Sequence, residues 1–144
     1  MSLWADYIAA HPEFADEAPQ VDQFGDSPAM ADELLSLVLD GPKRATAGLA
    51  QGEIPAVGDH WVMTDGEGRE RAVLRTREVR VGRLDSVDDA FAWDEGEGDR
   101  SRDSWLRGHR AFFRRIVDGP LTDDDLDALP VVFERFDLVW PPQR

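Results

Sequence analysis

One amphipathic stripe constrains the chain more than any other feature. Trp105, Leu106, His109, Phe112, Phe113, Ile116 and Val117 recur at the spacing of a helix with one buried face. Ser101 stands where an N-cap belongs, and Arg107, Arg110 and Arg114 fall on the other side. A face this aromatic must be covered by apolar packing, because the sequence has no cysteine. That absence removes disulfide frameworks, thiolate zinc sites, iron–sulfur clusters and a cysteine nucleophile. At 144 residues the chain reads as one domain over 1–144. A chain of that length buries about 70% of its unfolded surface without covalent staples.

The rest of the pattern supplies the cover. Trp4, Tyr7 and Ile8 predict a short helix ending near Pro12, so residues 1–19 read as a peripheral N-terminal helix and acidic loop. The whole stretch 15–26 reads as loop. Ser27-Pro28 opens a second helix with Leu34, Leu35, Val38 and Leu39 on its apolar face, stopped by Gly41-Pro42. Short strands are expected at Ala45–Ala50, His60–Thr64, Arg71–Thr76 and Glu78–Leu84, with Asp65-Gly66-Glu67-Gly68 as a hairpin turn. A helix is expected over Asp85–Trp93, then a glycine-acid loop over 95–99. After the long helix, Thr122 caps a short acidic helix ending at Pro130. The last strand, Val131–Trp140, changes its alternation phase near Glu134-Arg135, which suggests a bulge. Helices, strands, helices and a strand in that order favour an α+β fold with a mostly antiparallel sheet over a parallel βαβ sheet.

Charge narrows the partners. The net charge is −14, yet residues 1–40 hold nine acids and no Lys or Arg, while 14 of the 16 basic residues lie in 41–115. A polyanion would bind there, through a small pocket; no footprint for long duplex DNA exists. Acidic flanks that only maintain solubility explain the same balance. No apolar run is long enough for a membrane span and no secretory signal is visible, so a cytoplasmic protein is expected.

Three places bear chemistry. Lys43 is the only lysine, in Gly41-Pro42-Lys43-Arg44-Ala45-Thr46. Arg cannot give up its proton and Lys can, so a base would be kept as Lys in an arginine-rich chain; a surface lysine of no consequence is the alternative. Such a pocket lysine is expected to add little to folding stability. Thr46 is either a nucleophile beside that amine or a β-branched residue opening a strand. Glu95, Glu97 and Asp99 crowd carboxylates between glycines that admit close backbone approach to a ligand, or form a solvated turn. His109 and Trp105 have packing as their ordinary role. His11, His60 and His109 show no metal-ligand spacing, and no Walker loop, dinucleotide fingerprint or nucleophile elbow is present.

Several of these stretches together resemble the ASCH domain family. They are Ala31–Leu35 running into Gly41–Thr46, Val57-Gly58-Asp59, Arg75-Thr76, and Phe91–Asp99 followed by Trp105 and His109. The resemblance spans about residues 20–140. It implies a PUA-like, mostly antiparallel β-barrel with flanking helices, a ligand cleft beside the Gly-x-Lys loop, and RNA or a modified nucleoside as ligand.

The resemblance implies two activities. One is an amidohydrolase that deacylates acetylated cytidine with a lysine, a threonine and a glutamate, matched here by Lys43, Thr46 and Glu95. The acidic stretch after Glu95 is longer than in the family pattern, so Glu97 rivals it. The other is a ribonuclease assisted by a divalent metal, for which Ser101 could supply a hydroxyl or merely cap its helix; otherwise no cofactor is expected. Tyr7, the only tyrosine, lies outside the matched stretch. A non-catalytic RNA-binding or regulatory module is a third reading. In it, Lys43 with Arg44 and Arg75 holds a phosphate, Trp105 or Phe24 stacks on a base, and Glu97 or Asp99 reads its edge, with His109 nearby.

Overall fold

The computed structural model describes residues 2–142; Met1, Gln143 and Arg144 of the expected 1–144 span lie outside them. In chain order the elements are α1 (Leu3–Ala10), β1 (Gln20–Gln23), α2 (Pro28–Leu39), β2 (Ala45–Leu49), β3 (His60–Thr64), β4 (Glu70–Arg83), α3 (Asp89–Glu95), α4 (Arg102–Ile116), α5 (Asp123–Asp127) and β5 (Pro130–Trp140). The five strands form one sheet in the order β1-β3-β4-β5-β2. Only β1–β3 is a parallel pair. The sheet curls into a half-barrel with helices packed around it, so the expected α+β class and barrel-like sheet are the fold observed. Its two edges, β1 and β2, do not pair with each other.

Capping chemistry sets the helix starts, as expected at Ser27, Ser101 and Thr122 and, unforeseen, at Asp88. Ser27, Asp88, Ser101 and Thr122 each accept a backbone N–H three residues on. Thr122 and Asp125 form a reciprocal capping box.

Alternation along the strands explains why both faces of the sheet are covered. Val62 and Val73 face Tyr7 of α1. Met63, Ala72, Leu74, Phe136 and Leu138 face α2. Val131 and Phe133 pack against the α3–α4–α5 side with Phe91, Trp105, Leu106, Phe113 and Leu126. Phe91 and Phe133 meet edge to face, their ring centres 5.1 Å apart.

Four local expectations are corrected. Residues 20–23 are not loop: they form β1, which borrows a partner, β3, distant in sequence. The helix expected over 85–93 begins only at Asp89, after a single 3-10 turn at Leu84–Ser86. Arg71–Thr76 and Glu78–Leu84 belong to one long strand, β4, because the ladder steps past Arg77 rather than ending there. No bulge sits at Glu134-Arg135 of β5: the extra residue at that level is Arg77 on β4. From Val132 to Leu138 the even positions of β5 stay on one face, and Glu134 shares a cavity with Val132 and Phe136; the shift in β5 itself comes later, at Val139. A strand buried on both faces mimics a change of phase.

The long helix also buries less of its stripe than expected, since Ile116 at its end is 43% exposed. Phe113→Ala should therefore cost about 3–5 kcal/mol of unfolding free energy, the range for emptying a core aromatic site. Ile116→Ala should cost about 1 kcal/mol or less. Urea unfolding of both variants beside the parent checks the contrast.

Candidate functional site

The loop between α2 and β2 is held from three directions before any side chain is considered. Lys43 N–H donates to the Leu37 carbonyl of α2, Arg44 N–H donates to Asp94 of α3, and the Arg44 carbonyl accepts from Phe136 of β5. At the end of α3, Gly96 adopts φ +70°. A Cβ there would lie 2.8 Å from the Lys43 nitrogen. Glycine is thus needed at 96 for a left-handed helix end and for close backbone packing. The close approach expected of this loop is to Lys43.

That docking buries the only lysine almost completely, at 1% exposure. Lys43 Nζ donates to the Ala45 carbonyl at 2.8 Å and to Glu97 Oε2 at 2.9 Å. It also lies 3.4 Å from the Glu95 carbonyl and 3.5 Å from Glu95 Oε1. All four partners are oxygens that only accept, which fits an ammonium. The Phe24 ring lies 5.6 Å from Nζ. The expectation that this lysine contributes little to stability is overturned by its burial and its partners.

Glu95 is the centre of the cluster. Its Oε2 accepts from the Trp105 indole and lies 3.3 Å from His109 Nε2. Burial alone would raise the carboxyl; Lys43, His109 and these hydrogen bonds outweigh it and hold the group down at about 2. His109 Nδ1–H donates to the Trp105 carbonyl at 2.8 Å. Both ring nitrogens therefore face acceptor oxygens, which suits the imidazolium. Burial pushes His109 down, but Glu95 pushes it up further, so the net shift is upward. The imidazole stacks on Trp105 with centroids 3.7 Å apart. With His109 protonated, Lys43 and His109 balance Glu95 and Glu97.

Lys43, Thr46, Glu95, Glu97, Trp105, His109 and Phe24 line one chamber of about 250 Å³. Segments roughly 50 residues apart in sequence thus meet, as the resemblance implied. The Thr46 hydroxyl has no hydrogen-bond partner among the described residues, and Thr46 also lines a second chamber of about 290 Å³. The two chambers share Phe24, Gly25, Thr46, Ala47 and Phe112 and so form one cleft. Both sheet edges border the second chamber: Asp22 and Gln23 come from β1, and Thr46–Leu49 from β2.

The remaining candidates lie elsewhere. Arg44 Nη1 donates to the Val38 and Lys43 carbonyls behind the loop. Arg75 lies over the Phe14 ring. Asp99 accepts from Ser101 N–H, and Ser101 caps α4. None of the four lines either chamber. The residue reading missed Glu134, Trp61 and Thr76, which form a buried hydrogen-bonded group beside Thr46. The available signal was a carboxylate set within the apolar run Val131–Phe136. Among the described residues no group of three His, Asp or Glu side chains is arranged to hold a metal ion.

The two perturbed groups predict a pH window. Glu95, lowered from 4.5 to about 2 on folding, adds stability that is present above pH 4.5 and lost as the pH falls toward 2. His109, raised from 6.5, adds stability that is present below pH 6.5 and lost as the pH rises through its folded value. The cluster therefore stabilises most between pH 4.5 and 6.5. In urea unfolding, His109→Gln should flatten the alkaline decline. Glu95→Gln, which leaves two buried cations without their shared counter-charge, should cost about 3–5 kcal/mol.

Comparison with known proteins agrees with this architecture. The chain superposes on the crystal structure of an ASCH domain from Lactobacillus crispatus JV V101, with TM-score 0.81 and 24% identity over 95% of this chain and 91% of that one. It also superposes on protein EF3133 from Enterococcus faecalis V583, with TM-score 0.79 and 26% identity over 95% and 85%. No curated protein matches the sequence. The ASCH domain family model matches residues 20–140, and by that match, which takes in both chambers and every residue of the charge cluster, the chain belongs to the ASCH domain family.

Proposed function

We propose that the cleft binds a small RNA-derived ligand, a nucleoside or modified nucleoside, rather than a long nucleic acid. The observation that carries this reading is the chamber itself: a buried lysine whose charge is already balanced, set beside aromatic rings and a free hydroxyl. A phosphate would have to compete with Glu97 for Lys43 Nζ, and no arginine lines either chamber to help it. An uncharged base and ribose meet no such competition. The combined space suits one small ligand, since single-ligand pockets span about 300–1,000 Å³.

A second reading is favoured by the unpartnered Thr46 hydroxyl. In it the protein is a hydrolase that removes an acyl group from the nucleoside. Thr46 Oγ1 attacks the acyl carbon, the amine leaves, and water then releases the acyl group from Thr46. Lys43, after passing a proton to Glu97 at 2.9 Å, takes the Thr46 hydroxyl proton and delivers it to the leaving amine. Glu95 keeps Lys43 and His109 in position. Side chains alone carry this chemistry. A ribonuclease reading has less support, because Ser101 lies outside the cleft and serves as a helix cap.

Incubating the protein with acetylated cytidine, unmodified nucleosides and short single-stranded RNA separates these readings. If it is a hydrolase, Thr46→Val and Lys43→Arg should each lose at least about 100-fold in turnover, the lower end for removing a base or nucleophile. Thr46→Val should keep nucleoside affinity within about threefold, roughly one weak hydrogen bond. If the protein only binds, no product appears and Lys43→Arg still weakens binding, because the larger guanidinium does not fit a filled site. A parent protein that binds no nucleoside overturns the reading.

Salt dependence gives an independent check. Short RNA should bind with fewer than about four phosphate contacts, each adding about −0.7 to the slope of log K against log salt. A steeper slope, or tight duplex binding, would contradict a nucleoside-sized site.

A further inference from the structure

Glu134 is 8% exposed on β5, beside Thr46 of β2 in the sheet. Its Oε2 accepts the Thr76 hydroxyl proton at 2.6 Å. The Trp61 indole N–H donates to the same hydroxyl oxygen at 3.0 Å, which leaves the Thr76 hydrogen free for Glu134. Beyond the Thr76 hydroxyl and the Trp61 indole the carboxyl has no hydrogen-bond partner among the described residues, and the side chain lines the second chamber. No cation lies within ion-pair distance of it among the described residues.

The groups around Glu134 are acidic. Asp22 faces the chamber from β1 and Glu53 from the segment after β2. Asp59, before β3, also acts on it electrostatically. From β4 and β3 it meets only the neutral Thr76 and Trp61. Lys43, Glu95, Glu97 and His109 lie in the adjoining chamber, where their charges cancel with His109 protonated. A buried carboxyl among acids, with no cation of its own, holds its proton more tightly than a free one. Burial raises the group, Asp59 and Asp22 add to that, and the Thr76 and Trp61 bonds oppose it in part. With Thr76 donating to Oε2, a proton held by the carboxyl belongs on Oε1, the oxygen left for a ligand.

We propose that Glu134 acts as a neutral carboxylic acid whose Oε1–H donates to an acceptor atom, a ring nitrogen or carbonyl oxygen, of an uncharged flat ring seated in the second chamber. This rests on the nucleoside reading above and adds a specificity-determining residue to it. Trp61, Phe24 and Phe136 supply the aromatic and apolar walls. An ionised Glu134 would select the opposite edge, the paired N–H donors of guanine.

The test is calorimetric binding of cytidine, adenosine, uridine and guanosine to the full chain between about pH 5 and 9, a span that brackets a raised carboxyl. Glu134→Gln keeps a donor and an acceptor in the same shape but does not titrate, while Glu134→Leu removes both. In the parent, affinity for the nucleoside that binds should be flat at low pH and then fall about tenfold per pH unit once Glu134 ionises. Glu134→Gln should stay within about threefold of the low-pH parent value throughout, and Glu134→Leu should lose at least about tenfold. Affinity that rises with pH, a preference for guanosine, unchanged binding by Glu134→Leu, or a pH dependence that survives in Glu134→Gln each overturns the proposal while leaving the nucleoside reading intact. Failure of every nucleoside to bind overturns that reading and this proposal together.

Discussion

The buried contact of Lys43 with the carboxylates of Glu95 and Glu97 is the interaction on which the rest of the structure depends. An ammonium taken out of water costs several kcal/mol unless its donors are met by well-placed acceptors. Here the acceptors come from two segments: Ala45 opens β2 just after the lysine, and Glu95 and Glu97 lie at the end of α3 and just beyond it. His109 on α4 then supplies the second cation that Glu95 needs. Satisfying these charges requires α3 and α4 to dock on one side of the sheet in a single arrangement. Gly96 permits it, because a side chain there would strike the Lys43 backbone.

The same arrangement makes the cleft. A closed barrel would pair its edges and fill its interior with side chains. Here β1 and β2 stay apart, and the space between them is the second chamber. Thr46 lies on the β2 edge between the charged chamber and the chamber of Glu134. The two carboxylates that define these chambers are both buried but behave oppositely. Glu95, facing two cations, is held ionised; Glu134, facing acids and two neutral donors, is pushed toward its protonated form. Counter-charge, not burial, decides the difference.

Much of this was legible in the residues. Helix ends followed from capping residues, and the β3–β4 hairpin from its glycine-acid turn, because those signals act over three or four residues. Lys43 stood out because a chain that otherwise uses arginine kept one lysine. Its meeting with Thr46 and Glu95 was implied by resemblance to a family, not by spacing. Four of the candidate residues lie outside the cleft, engaged by other groups. Arg44 and Arg75 carry the right charge for a phosphate but point at carbonyls and at Phe14. Asp99 and Ser101 satisfy backbone groups at a helix start.

The sequence by itself determined most of the helices and strands, where many of them end, and that a cysteine-free chain must hold them together by apolar packing. These follow from local sterics and from hydrophobic periodicity, which are properties of neighbouring residues. Only the tertiary structure decided that β1 exists, that β5 is buried on both faces, and that Glu134 with Thr76 and Trp61 forms part of the cleft. Each depends on which strands lie side by side. Strand pairing, like the protonation of a buried carboxyl, is fixed by groups tens of residues away whose distance in space no local pattern encodes.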